Sequence, residues 1–90
     1  MSNVFELVKG RVSHNTPIQA LKIICDTLTR YQDGSLDLND FSWLDGAQID
    51  PYDFRTISYE IENKTHEVKV PLGHFPLQLT DSRVLFVPFQ

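Results

Sequence analysis

Ninety residues, 10.4 kDa in mass, form one domain (1–90), and a hydrophobic share of 41% with a net charge of −4 excludes a disordered chain. One cysteine excludes an internal disulfide framework and a Cys-based zinc cluster. No apolar run approaches the ~18 residues of a membrane span, and Glu6 and Lys9 interrupt any secretory signal. The expectation is a cytoplasmic protein with no membrane role.

In chain order, Ser2 to about Arg11 reads as a first helix, with Val4, Phe5, Val8 and Val12 on one face. Ser13-His14-Asn15 makes the turn that follows. The clearest element is a helix from about Pro17 to Tyr31. Thr16 is its expected N-cap, Gln19 completes a capping box, and Pro17 takes the first helical position. Ile18, Leu21, Ile24, Cys25 and Leu28 make one apolar stripe that Tyr31 extends, which places the Cys25 thiol in the core. Asp33-Gly34 ends the helix, with Gly34 left-handed. A short helix from about Leu38 to Leu44 follows, capped by Asp37 and closed by Gly46. Thr56 to Glu62 alternates apolar and polar residues as a strand, turns at Asn63-Lys64 and returns over Thr65–Leu72. Leu77–Thr80 and Val84–Val87 are a third and a fourth strand. The fold class is therefore α+β, with one or two N-terminal helices packed on a small, mainly antiparallel C-terminal sheet of three to four strands.

Charge is unevenly spread. Between Arg30 and Arg55 there is no Lys or Arg but six acids, Asp33, Asp37, Asp40, Asp45, Asp50 and Asp53. The other residues hold six acids against eight bases. The same window carries Phe41, Trp43, Tyr52 and Phe54. Carboxylates steer the approach of a basic partner and aromatics anchor it. Asp37, Asp40, Phe41, Trp43, Asp45, Asp50, Tyr52 and Asp53 are thus the candidate partner-binding residues. Against this, Asp is also the residue of turns and caps, and Asp33, Asp37, Asp40 and Asp50 all have such places.

Other chemistries find no support. A calcium loop starting at Asp33 has Leu38 where Gly belongs and Leu44 where a bidentate Glu belongs. The four glycines are too far apart to cradle a phosphate. His14, His66 and His74 lack metal-ligand spacing, so neither a metal nor a cofactor is expected. Glu60 and Glu62 share the polar face of a strand, as solvated carboxylates do. Asn63-Lys64-Thr65 matches a glycosylation pattern by chance in a turn. No catalytic constellation emerges, and no enzyme is expected. Lys9, Arg11, Lys64, Lys69 and Arg83 are too scattered for nucleic acid to be more than a weak alternative, with Tyr59 as its stacking platform. The function expected is a non-enzymatic protein-binding module, inhibitor- or immunity-like. It presents residues 37–54 to a basic site on a macromolecular partner. The alternative is a self-assembling subunit joined through Val84–Phe89, apolar at four successive positions and therefore in need of cover on both faces.

Overall fold

The computed structural model describes Glu6 and residues 8–89 of the chain. Glu6 and Val8 are helical, but residues 9–11 form a turn, with Gly10 at φ +74, so the expected first helix does not reach Arg11; its residues 2–5 and 7 lie outside the described residues. One complete α-helix follows, α1 (Ile18–Gln32). Pro17, extended at φ −64 and ψ 151, is itself the N-cap, and no side chain caps it. Thr16 therefore stands one residue too early to form the expected capping box, and its hydroxyl is buried without a partner among the described residues. The apolar stripe is rotated accordingly. Ala20, Ile24, Thr27 and Leu28 are buried, but Ile18 is 70% exposed and Tyr31 also faces outward. Cys25 is half-buried rather than enclosed. Gly34 does take the left-handed conformation, φ +82, at the end of the helix.

The expected helix over 38–44 shrinks to a single 3-10 turn, Leu38–Asp40, with Asp37 accepting a hydrogen bond from the Asn39 N–H at 2.9 Å. Phe41 is already extended, and two short strands follow: β1 (Ser42–Asp45) and β2 (Ala47–Asp50). The remaining strands are β3 (Asp53–Ile61), β4 (Lys64–Lys69), β5 (His74–Thr80) and β6 (Arg83–Pro88). The tight turn between β3 and β4 is Glu62-Asn63, both at positive φ, one residue earlier than the sequence suggests. All pairings are antiparallel. They build two three-stranded sheets, β1-β6-β5 and β2-β3-β4. Six strands in two sheets exceed the three or four expected, within the same α+β class.

The two sheets are linked by chain continuity. Gly46, at φ +67, bends the chain between β1 and β2, so one run of residues leaves the first sheet and enters the second. The first sheet is consequently the middle of three layers. Its one face presents Leu77, Leu79, Leu85 and Val87 to Ala20, Ile24 and Leu28 of α1. Its other face presents Val84, with Leu44 and Phe86, to Ala47, Ile57 and Val70 of the second sheet. Ile24 and Leu28, both fully buried, each contribute about 2 kcal/mol through burial alone. β6 therefore runs through the centre of its sheet with both faces covered. Pro88 falls at the strand's last position, where a missing N–H costs little.

Candidate interaction surface

β1 positions the first group of candidate residues. Trp43 and Asp45 alternate with Leu44, so Leu44 packs between the sheets while Trp43 and Asp45 face the helix side. Neither belongs to the helix-side core, and Trp43 stays 37% exposed. Opposite them, Arg83 holds the group together. Its Nε donates to Asp45 Oδ1 at 2.7 Å and its guanidinium carbon lies 5.2 Å from the centre of the Trp43 ring. Its hydrogen bond keeps the Asp45 carboxyl below the usual carboxylate range, and the same bond pushes the arginine up. Asp45 is thus charge-neutralised within the fold and is not a free steering group. Phe41 is half-buried against the helix-side core. Asp37 and Asp40 are exposed and pair with no cation among the described residues.

A second group sits on the turn between β2 and β3. The Asp50 carboxylate accepts from the backbone N–H groups of Tyr52 (2.8 Å) and Asp53 (3.1 Å), which is the turn-forming role that its place before Pro51 suggests. Asp53 accepts from the Thr56 hydroxyl at 2.7 Å and the Arg55 N–H at 2.9 Å. The Thr56 bond is the main cause that holds its carboxyl low. Lys69 Nζ lies 3.9 Å away, in an exposed pair of little energetic weight. Tyr52 is 72% exposed, its ring 5.4 Å from that of His14. Among the described residues no hydrogen bond, ion pair or ring contact joins this turn to the Trp43 group. Residues 37–54 therefore form two surfaces separated by the Gly46 bend rather than one patch.

Sequence reasoning missed Arg83 as the organiser of the Trp43 group. Its only sequence signal is a base placed just before the apolar strand that pairs with β1. It also missed Leu72, 88% exposed in the loop before β5 although alternation places it on an inward face. The candidates set aside on sequence stay apart. Tyr59 stacks on His66 across β3 and β4 at 5.3 Å. Arg11 donates to the backbone oxygens of Gln78 and Leu79, and Arg55 to those of Val70 and His74. These two bases serve the fold.

A cavity of about 390 Å³ between residues 6–16 and α1 brings Ser13 and His14 together. The buried Ser13 hydroxyl donates to the Asp50 carbonyl and is not aimed at His14 as a nucleophile would be. Among the described residues no three His, Cys, Asp or Glu side chains are grouped to hold a metal ion, and no helix is long and apolar enough to cross a membrane. No family model matches the chain, and neither a curated protein nor a solved structure matches it.

Proposed function

We propose that this chain is a non-enzymatic protein-binding module, of the kind that acts as an inhibitor or immunity-like blocker, and that it engages a basic surface on a protein partner. Within residues 37–45 the main contact is made by Asp37, Asp40 and Trp43, and Tyr52 makes a second, separate one. The observation that carries the reading is Trp43. The chain's single tryptophan keeps more than a third of its surface in solvent on a sheet face that buries its neighbour Leu85 completely. Large aromatics in such places are the usual anchors of interfaces. Asp37 and Asp40 supply the uncompensated negative charge that precedes it in the chain. Arg83 holds the Trp43 ring in place before a partner arrives, which lowers the ordering cost of binding.

Two other readings lose ground. Self-assembly through Val84–Phe89 rested on an uncovered face of β6, and that face packs on the second sheet. Nucleic-acid binding needs gathered bases, and Arg11 and Arg55 are committed to backbone oxygens and Arg83 to the Asp45 carboxylate.

Trp43 emission is the reporter. Titration with a short Lys/Arg-rich peptide is expected to give a saturable change that weakens as salt is raised. A Glu-rich peptide of equal length gives none. A Trp43 signal indifferent to both peptides, or equal for both, contradicts the proposal.

A further inference from the structure

The proposal that residues 37–45 receive a basic partner is the basis for a narrower one, which concerns how the partner binds. In an antiparallel ladder successive residues point their N–H and C=O alternately to one neighbour and the other. The Phe89 N–H donates to the Gly73 carbonyl at 3.1 Å, which sets the phase of β5 against β6. Leu85 and Val87 then face β5, while Val84 and Phe86 face β1. The β1–β6 register pairs Phe86 with Ser42 and Val84 with Leu44. Ser42 and Leu44 therefore spend their backbone groups on β6. Trp43 and Asp45 point theirs off the outer edge.

Gln78 occupies the outer edge of β2, bonding the Ile49 N–H and the Ala47 carbonyl, and the same reasoning separates the outer edges of β5 and β4. On β5 the outward residues are His74, Pro76 and Gln78. The His74 N–H bonds the Pro71 carbonyl, Pro76 has no N–H, and the Gln78 N–H bonds the Arg11 carbonyl. On β4 the Val70 N–H bond to Arg55 sets the phase so that Thr65, Glu67 and Lys69 face outward. Lys64 and Lys69 flank that edge, a familiar guard against strand addition. Among the described residues, β1 has neither a proline, nor a covering backbone bond, nor a lysine.

We infer that β1 is the docking edge for an extended, lysine- or arginine-bearing segment of the partner, which adds beside Trp43 and Asp45 as a fourth strand of that sheet. Charge complementarity selects this occupant. The run from Tyr31 to Phe54 contains no base, and Asp37 and Asp40, which precede the edge in the chain, pair with no cation among the described residues. The part of the Trp43 ring left exposed beside the Arg83 guanidinium offers apolar surface to the aliphatic stem of an added Lys or Arg. Two outward residues supply two N–H and two C=O groups, and the Gly46 bend ends the edge. The segment recognised is therefore short, on the order of three to five residues.

The test is backbone amide exchange in the full chain, read by NMR, with a short alternating Lys-Val peptide as the probe and the same peptide N-methylated at every amide as its control. The peptide is expected to slow exchange at Trp43 and Asp45 by about tenfold or more, with Ser42 and Leu44 little changed. The N-methylated peptide, equal in charge but unable to donate, is expected to bind about tenfold or more weakly. Equal binding of both peptides overturns strand addition and leaves the basic-partner reading standing. Failure of both to bind overturns the two together. Slowed exchange at Thr65, Glu67 and Lys69 instead assigns docking to β4 and overturns the inference. So does a concentration-dependent dimer of the free protein protected at Trp43 and Asp45, which gives the edge to a second copy.

Discussion

The carboxamide of Gln78 lies 7% exposed between the two sheets, where β2 has parted from β6. Its Oε1 accepts from the Ile49 N–H at 3.0 Å, and its Nε2 donates to the carbonyls of Ala47 (3.0 Å) and Thr80 (2.9 Å). Ala47 and Ile49 turn those groups away from β3, so the side chain stands in for the strand that is missing there. Gln78→Leu keeps the volume but leaves these groups without partners. The expected loss is about 3 kcal/mol of unfolding free energy in urea; a loss below about 1 kcal/mol contradicts the bridging role. Nothing in Pro76-Leu77-Gln78-Leu79 tells the reader that the glutamine faces a second sheet, because no second sheet is legible there. The carboxylates make a further prediction at this scale. Asp45 and Asp53 are held below the ordinary carboxylate value by the hydrogen bonds from Arg83 and Thr56. A depressed folded-state pKa contributes stability above the unfolded value, and that contribution drains away as pH falls through the folded value. Melting temperature should therefore fall as pH drops below about 4, and Asp45→Asn should flatten that decline. An unchanged acid slope in Asp45→Asn would refute the Arg83 contact as its cause.

At the scale of elements, the legible parts are those whose local pattern and tertiary role agree. α1 and the β3–β4 hairpin combine strong periodicity with turn residues, and both appear within a few residues of their expected bounds. The segment 42–50 was illegible because Asp and Gly are depleted in strands, and Ser42-Trp43-Leu44-Asp45-Gly46 reads as a loop. Pairing with Arg83–Phe86 on one side and Ile57–Tyr59 on the other overrides that preference. The Asp37 cap was legible, but the length of the element it caps was not, since Phe41 turns extended and packs against the helix-side core. Gly46 was legible as a break and misassigned as a helix end. It has no heavy atom within 4 Å of where a Cβ would stand. Gly46→Ala therefore meets only the penalty of positive φ, and a loss of about 1 kcal/mol is expected in chemical denaturation. A loss of several kcal/mol would mean that the bend is constrained by space and not by backbone conformation.

At the scale of the whole molecule, layering answers a question that composition raises. Val84-Leu85-Phe86-Val87 needs cover on two faces, and α1 and the second sheet provide it within one chain. The acidic window contributes to that cover through Leu44, Ala47 and Ile49, so part of it is structural. This division explains why the eight candidate residues separate. Phe41, Asp45, Asp50 and Asp53 are tied into packing, ion pairs or turns, while Asp37, Asp40, Trp43 and Tyr52 remain available to a partner. The separation was not legible in the sequence, because an aspartate in a turn and an aspartate awaiting a lysine look the same there. The central claim is that the second set binds while the first set folds. Calorimetric affinity for a Lys/Arg-rich peptide, compared between the natural chain and its D37K/D40K variant, tests it most directly. The account predicts a fall of about tenfold or more, with a melting temperature lowered by no more than the loss of the Asp37 cap. Undiminished affinity in D37K/D40K would contradict it.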